Sequence, residues 1–317
     1  MQKLWTVLRR TGFIKKKVSM LEFRRLTLDD LPYIRQHLIK STGRFCDETP
    51  GTLFMWRNYY SVAFADCAGS IILRYQSGLP FSSGAFSLIS GTYSTECIDA
   101  ICAYCKEHRF PAVLSTVTEE NRIWLKEHYA IKQEQYDDDW ADYLYDADTM
   151  IALQGSSFGG QRNHIHQFER KYPDAQIKTV TPENIAEIQR FLAKLEQDYP
   201  PIDESGKQEY DMIREVLNHY DLFAMTGIVI YHEPDQIGGI TLGEVQNDTL
   251  YVHVEKADKG ITGIFPKLTN SYARQFAGKV RYINREEDMG NPGLRRSKQS
   301  YQPIALLRKY FIELNLQ

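Results

Sequence analysis

Residues 23–38 have the sequence FRRLTLDDLPYIRQHL, and residues 177–192 have the sequence IKTVTPENIAEIQRFL. An offset of 154 positions aligns the two segments, and it pairs Thr27 with Thr181 and Leu38 with Leu192. In each segment a short alternating strand precedes a threonine, which is a preferred N-cap residue, and acidic residues that favour the start of a helix. Apolar residues then recur at helical spacing. The repeat predicts two copies of one structural unit.

The segments that follow each copy have the same predicted order of strands and helices. After the first copy we expect strands near 61–65, 70–75 and 85–90, a helix at 95–109, a strand at 112–116 and a helix at 119–128. After the second we expect strands near 222–231, 237–245 and 249–254, a helix at 262–276 and a strand at 280–284. This order predicts an α+β protein of two tandem units, each a mixed, mostly antiparallel sheet flanked by helices. We assign the units to residues 20–150 and 151–317. We expect residues 1–19 to be a disordered tail or an overlong start, with a membrane-contacting arm as the alternative.

Composition narrows the class of protein. The chain has 317 residues, of which 43% are hydrophobic and 25% charged, as in ordinary globular proteins. A net charge of −3 gives no overall attraction to nucleic acid or anionic membrane. The five cysteines, without an export signal, favour a cytosolic location. Cys102 and Cys105 lie among apolar residues at helical spacing, which favours helix packing over a redox or zinc site.

Three blocks of sequence resemble a known family. They are RNHIHQFERKYP (162–173), GGITLGEVQNDTLYVHVEKADKGITGIF (238–265) and RYINREEDMGNPGLRRSKQSYQPIALLRKY (281–310). Together they make the region 140–317 similar to the family of the phosphatidylglycerol lysyltransferase C-terminal domain, which has a GNAT-type N-acyltransferase fold. The resemblance implies transfer of an acyl group from coenzyme A, or of an aminoacyl group from tRNA, to an amine or hydroxyl. It further implies direct attack without a metal, and a donor groove where two parallel strands diverge. Because this chain lacks the membrane domain of the lysyltransferases, a lipid acceptor is not expected.

The segment 251–255 supplies the first candidate catalytic residues. Strict alternation would place His253 and Glu255 on one face of a strand, with Val252 and Val254 on the other face against the core and donor groove. A carboxylate beside a histidine raises its pKa and makes it a candidate general base. A surface strand with a hydrogen-bonded histidine is the alternative.

The next segment suggests a site for the donor phosphates. Glycines before a helix let backbone N–H groups approach an anion, and neighbouring lysines add positive charge. An ordinary loop and turn is the alternative. We also place Arg162 and Asn163 near the donor. His164 and His166 are two positions apart on a helix and point in different directions, so they make a poor metal pair. The candidate donor-binding residues are Val252, Val254, Lys256, Lys259, Gly260, Ile261, Thr262, Gly263, Arg162 and Asn163.

The segment after the last predicted strand completes the candidate site. Asn284 ends that strand, where its amide is expected to hold a carbonyl or the nucleophile. Glu286 and Glu287 are candidates to bind the acceptor or take its proton, and pairing with later cations is the alternative. Those cations, Arg295, Arg296, Lys298, Arg308 and Lys309, either bind tRNA phosphates or pair with the acidic residues.

We therefore expect an acyl- or aminoacyltransferase whose candidate catalytic residues are His253, Glu255, Asn284, Glu286 and Glu287. A binding or sensor module that holds coenzyme A or another nucleotide-bearing ligand without turnover is the rival prediction. The N-terminal unit is expected to be non-catalytic, because the segment 90–94 before its helix has no lysine and no His–Glu strand precedes it.

Overall fold

A computed structural model describes residues 20–78, 84–89 and 93–316. The predicted tail at 1–19 and part of the loop at 90–94 lie outside the described residues. Within the described part of the chain, no helix combines the length and apolarity needed to cross a membrane.

The described residues form eleven α-helices and fourteen β-strands. The helices are α1 (Leu31–Leu38), α2 (Pro50–Trp56), α3 (Thr95–His108), α4 (Glu119–His128), α5 (Ala147–Ala152), α6 (Gly159–Lys171), α7 (Ile185–Asp198), α8 (Glu204–Asn218), α9 (Tyr220–Phe223), α10 (Ile264–Gln275) and α11 (Pro292–Gln299). The strands are β1 (Arg24–Arg25), β2 (Ala63–Cys67), β3 (Ser70–Tyr75), β4 (Ala85–Ile89), β5 (Ala112–Val117), β6 (Ile131–Tyr136), β7 (Asp142–Asp146), β8 (Gln176–Thr179), β9 (Thr226–Glu233), β10 (Gln236–Gln246), β11 (Thr249–Ala257), β12 (Tyr282–Asn284), β13 (Ala305–Leu307) and β14 (Tyr310–Leu314).

The strands form two seven-stranded sheets of matching design. Their orders are β1-β2-β3-β4-β5-β14-β6 and β8-β9-β10-β11-β12-β7-β13. In each sheet one central pair is parallel, β4 with β5 and β11 with β12, and the other pairs are antiparallel. The predicted fold class is confirmed: the protein is α+β, with two GNAT-like units.

The two sheets exchange a strand. β14, at the end of the chain, lies between β5 and β6 of the first sheet, and β7, from the middle of the chain, takes the equivalent place in the second. Each sheet therefore contains a strand from the other side of residue 150. The division into units at 20–150 and 151–317 stays a prediction, but the sheets themselves cross that boundary.

The hydrophobic core links the two halves. One core cluster combines side chains of α1, α2 and β3 with those of α7, α8 and β10, so the N- and C-terminal halves bury apolar surface against each other. Two further clusters lie under α3 in the N-terminal half and under α6 and α10 in the C-terminal half. Packing across the halves places α2 beside β11, where the candidate site lies.

The repeated segments form equivalent elements, with later helix starts than the sequence suggests. In the first copy, Thr27 and Asp30 form a capping box before a short 3-10 turn that leads into α1. In the second copy, residues 182–184 form a turn and α7 begins at Ile185 with Asn184 at its N-cap. Pro182 lies in the turn, because α7 begins three residues later.

Candidate active site

A gap in the second sheet forms the centre of the site. β11 and β12 run parallel and pair only from Thr249 with Tyr282 to Tyr251 with Asn284. β11 then continues to Ala257 while β12 ends, so the two strands separate. A cavity of about 1110 Å³ lies at this opening, and residues of both halves form its walls. Its lining includes Thr52, His253, Glu255, Arg285, Glu286, Glu287, Lys298 and Lys309.

A β-bulge at His253 changes which residues face each side of the sheet. Leu242 pairs with Val254 and Gly243 with Val252, which leaves His253 as the extra residue on β11. The predicted strict alternation is therefore wrong at this position. Val252 packs on the cluster under α10, Val254 belongs to the cluster shared with α2 and α8, and Glu255 no longer shares a face with His253.

His253 is held between two carboxylates. Its Nε2 lies 3.0 Å from Glu244 Oε1 and its Nδ1 lies 2.8 Å from Glu286 Oε1. Burial lowers the pKa of the imidazole, but hydrogen bonds to Glu244 and Glu286 outweigh it and raise the pKa to about 10. His253 is therefore an imidazolium at neutral pH. Its side chain is 1% exposed and that of Glu286 19%, so Glu286 is the member of this group that can meet a ligand.

The N-terminal half supports this group directly. The backbone N–H of Gly51 donates to Glu244 Oε1 at 2.6 Å, and Thr52 Oγ1 lies 3.1 Å from Glu286 Oε1 and 3.3 Å from His253 Nδ1. A Cβ atom at Gly51 would lie 2.5 Å from His253 Nε2, so α2 can approach this closely only with glycine at that position. The first half therefore forms part of the wall of the site.

The titration of His253 has a measurable consequence for stability. Its folded pKa of about 10 exceeds the ordinary value of 6.5, so the stability it contributes is fully present below pH 6.5 and is lost as pH rises through about 10. We expect the free energy of unfolding to decrease over this range, by up to about 1.4 kcal/mol per pH unit. To test this, the free energy of unfolding of wild type and of His253→Gln is measured by urea denaturation at several pH values between 6 and 10, and the two pH dependences are compared.

The variant His166→Gln is the matched control, because His166 is exposed on α6. It should keep the wild-type pH dependence, whereas His253→Gln should lose the decrease. Equal slopes in wild type and His253→Gln would contradict the charged state assigned to His253.

Glu255 lies on the other side of the sheet, with Arg285. Its Oε2 accepts a hydrogen bond from Arg285 Nη2 at 2.9 Å, and its Oε1 accepts one from Thr269 Oγ1 of α10 at 2.6 Å. The arginine stacks on Tyr301, with its Cζ 5.0 Å from the ring centroid. Glu255 therefore orients an arginine at the cavity wall, and its predicted role in proton transfer stays a prediction.

Glu287 belongs to a separate buried group, here called the Lys309 cluster, which comprises Cys46, Asp47, Asp142, Glu287 and Lys309. Lys309 Nζ lies 2.5 Å from Asp47 Oδ2 and 2.7 Å from Asp142 Oδ1, contacts Glu287 Oε1, and lies 3.5 Å from Cys46 Sγ. Burial raises the pKa of Asp142 to about 7, against the opposing effect of Lys309.

The cluster also has the composition of a metal site. Ligand atoms of Cys46, Asp47, Asp142 and Glu287 lie within 4.8 Å of one another. The Lys309 ammonium lies among these atoms and provides the positive charge that the carboxylates require. Its own pKa is well above the ordinary value, because the attraction of Asp142 and Asp47 outweighs burial.

Asn284 and Asp288 are occupied by contacts within the protein. Asn284 Nδ2 donates to the Arg44 carbonyl at 2.6 Å and to Asp142 at 2.8 Å, and its Oδ1 accepts from the Glu286 backbone N–H at 2.7 Å. Asp288 accepts from Tyr143 and Arg295. Asn284 thus shapes the turn that presents Glu286, and its predicted contact with a ligand stays a prediction.

The predicted donor loop lies at the cavity, with part of its charge already paired. Lys256 and Lys259 line the cavity, and Lys256 forms an ion pair with Glu209 at 2.6 Å while Lys259 lies over the Tyr199 ring. Gly263 has a φ of +78°, and a Cβ there would lie 2.1 Å from the His164 carbonyl oxygen, so this glycine serves close helix packing.

The remaining donor-binding candidates have mixed positions. Gly260 and Thr262 are exposed and Ile261 is in the core. Arg162 donates to the carbonyls of Leu153 and Gly155, which ties it to the loop before α6, and Asn163 is exposed on that helix. Their predicted contacts with a donor stay predictions.

Most of the predicted cationic stretch forms internal pairs. Arg295 pairs with Asp288 and Asp139, and Arg308 with Asp138. Lys298 is buried and donates to the carbonyls of Arg285 and Glu287. With Lys309 in its own cluster, Arg296 is the cation of this stretch that is exposed without such a pair among the described residues. The alternative prediction, pairing with acidic residues, describes these cations better than a surface for tRNA.

Several residues of the site were not predicted. Gly51 and Thr52 come from a segment without a recognisable motif, and Asp142 is the first residue of an exchanged strand. Glu244 lies within the family-like block 238–265, but nothing in that block indicates that it contacts His253. Arg285 has a signal in the sequence, since it stands between Asn284 and Glu286, but a flanking arginine does not show that it is buried.

Comparison with known proteins places the chain in a family. The family model described as phosphatidylglycerol lysyltransferase, C-terminal, matches residues 41–313. A curated but uncharacterised protein of Mycoplasmoides gallisepticum is 24% identical over 193 residues, which is 60% of this chain. The match spans 61% of the length of that relative.

Solved structures share the fold over most of the chain. A protein of unknown function from Bacteroides thetaiotaomicron has a TM-score of 0.85 and 28% identity, with 93% of this chain and 100% of that chain covered. The L-PGS of Bacillus licheniformis has a TM-score of 0.61 at 11% identity, covering 90% and 91% of the two chains. The C-terminal domain of a proposed lysylphosphatidylglycerol synthetase from Agrobacterium fabrum has a TM-score of 0.62 at 10% identity, covering 91% and 93%. Family and fold together support a GNAT-type transferase of acyl or aminoacyl groups.

Proposed function

The chain belongs to the family of the phosphatidylglycerol lysyltransferase C-terminal domain, and from this we propose that it transfers an acyl or aminoacyl group to an amine or hydroxyl in the cavity between β11 and β12. The observation that carries the proposal is Glu286, a carboxylate that lines the cavity at the point where the parallel strands separate. A carboxylate in this position can take a proton from the attacking group.

The backbone at Glu286 supports a functional role. Its φ is +56°, a left-handed conformation that is unfavourable for a glutamate. The hydrogen bond from its N–H to Asn284, and that from the Tyr143 N–H to its carbonyl, hold this conformation. Strained residues of this kind concentrate at functional sites because the surrounding structure must maintain them.

The proposed reaction needs no covalent enzyme intermediate. The acceptor nitrogen or oxygen attacks the acyl carbonyl carbon and gives its proton to Glu286. The tetrahedral intermediate then collapses, the bond to the donor breaks, and the leaving group departs with a proton. The positive charge of His253 behind Glu286 keeps the carboxylate in place through this cycle.

The donor is proposed as an activated ester with phosphate groups, either an acyl-coenzyme A or an aminoacyl-tRNA. The name of the family favours the aminoacyl donor, and the lysines at the cavity are compatible with both. The test is to incubate the protein with acetyl-coenzyme A or with lysyl-tRNA, together with hydroxyl and amine acceptors, and to follow release of the free thiol or of deacylated tRNA by mass spectrometry. Acceptor-dependent release from one donor supports the proposal. Thermal stabilisation by a donor without acceptor-dependent release would contradict it and favour a binding module.

A further inference from the structure

The cavity wall contains a buried cation with an unused hydrogen-bond donor. Arg285 has a side chain that is 8% exposed, its Nη2 is held by Glu255, and its Nη1 is buried without a hydrogen-bond partner. Buried polar groups in proteins nearly always have a partner, and each exception calls for an explanation. Because Arg285 lines the cavity, a ligand atom can supply the missing acceptor.

A second unpartnered atom lies in the wall of the same cavity. Gln161 of α6 is 7% exposed, and its Nε2 donates to the carbonyl and hydroxyl of Ser300 while its Oε1 is buried without a partner. Since Ser300 accepts both of these bonds, the orientation of the amide is fixed. Gln161, Ser300, Tyr301 and Arg285 all line this cavity, and Tyr301, which follows Ser300, is the residue on whose ring Arg285 stacks.

We propose that Arg285 and Gln161 form the subsite for the acyl group in the reaction proposed above. Arg285 Nη1 donates to the acyl carbonyl oxygen, and Gln161 Oε1 accepts from an N–H or O–H group of the bound substrate. When the acceptor attacks, the carbonyl π electrons move to this oxygen and form the oxyanion beside the guanidinium. The carbonyl re-forms as the bond to the donor breaks, and Arg285 keeps its protons throughout.

The position of Arg285 agrees with this role. It directly follows β12 and precedes Glu286, and the two side chains contact opposite sides of the sheet, Glu286 with His253 and Arg285 with Glu255, which also accepts a hydrogen bond from Thr269 of α10. A carbonyl in the gap between the strands can therefore lie between the proton acceptor and the cation. Because Glu255 and Tyr301 hold the guanidinium in advance, it needs no reorganisation during the reaction.

Kinetics test the role of Arg285. Loss of one donor to an oxyanion typically lowers kcat about 10²- to 10³-fold, so we expect that reduction in Arg285→Lys with KM changed less than about threefold. Lysine retains the positive charge beside Glu255 but has no second nitrogen that could donate a hydrogen bond to the acyl oxygen. Arg190→Lys is the matched control, because Arg190 is exposed on α7, and it should behave as wild type. A kcat in Arg285→Lys within about threefold of wild type would overturn the proposal.

Binding tests the subsite without turnover. In protein with ¹⁵N-labelled arginine, acetamide, which offers a carbonyl oxygen and an N–H group, should shift the Arg285 Nε–H resonance saturably. That resonance is identified by its loss in Arg285→Lys. Gln161→Met should weaken the binding of acetamide at least about fivefold and leave that of acetate, which has no N–H, unchanged. Gln167→Met, on the exposed side of α6, should have no effect.

The outcomes separate this inference from the proposed function. The absence of a shift with acetamide, or equal binding in Gln161→Met, would overturn the subsite even if transfer is observed. Saturable, Gln161-dependent binding without any transfer activity would retain the subsite and contradict the proposed function.

Discussion

We expect Glu286→Gln to lower kcat about 10²- to 10⁴-fold, the usual contribution of a general base, while the protein remains folded. Glutamine has nearly the same shape as glutamate and can still accept a hydrogen bond from Thr52 and His253, but it cannot take a proton. His253 cannot replace the lost base, because its side chain is 1% exposed and its Nε2 remains bonded to Glu244. Steady-state kinetics with the donor identified by the transfer assay measure the change.

Two variants control this experiment. Glu120→Gln changes an exposed glutamate of α4 and should keep wild-type kcat and KM. Thr52→Val removes the hydroxyl beside Glu286 and should reduce kcat much less than Glu286→Gln does, since the carboxylate remains. If Glu286→Gln keeps activity while His253→Gln loses it, the base is His253, as the sequence pattern alone suggests.

The sequence predicts the fold class and the order of most elements because these depend on local patterns. The helix predicted at 119–128 has the observed bounds of α4, and the strand predicted at 70–75 has those of β3. α2 was missed because Pro50 and Gly51 near its start resemble a loop, although proline is acceptable in a first helical turn and Gly51 allows contact with His253.

Features that depend on distant partners could not be predicted. The residues of β14 are mostly apolar, as in many strands, and nothing in them indicates that β14 joins the first sheet. The bulge at His253 exists only in relation to β10, so alternation along β11 alone gave the wrong face for Glu255. Several residues of the predicted site therefore line one cavity, while the partners of its charged groups required the tertiary structure.

We expect Lys309→Met to reduce the free energy of unfolding by about 3–5 kcal/mol, the usual effect of removing one partner of a buried ion pair. The lysine side chain is 4% exposed, and its loss leaves the carboxylates of Asp47, Asp142 and Glu287 together without their cation. Urea denaturation at pH 7 measures the change. Lys132→Met is the matched control, because Lys132 forms an exposed pair with Glu313 and such pairs contribute about 1 kcal/mol or less.

The position of the Lys309 cluster makes this effect more than local. Asp142 is the first residue of β7, and Lys309 immediately precedes β14, so their 2.7 Å contact joins the starts of the two exchanged strands. Loss of Lys309 should therefore weaken both sheets in a single transition. Adding Glu287→Gln to Lys309→Met should restore part of the stability, because it removes one of the uncompensated charges. A decrease no larger than that of Lys132→Met would show that the cluster does not hold the exchanged strands in place.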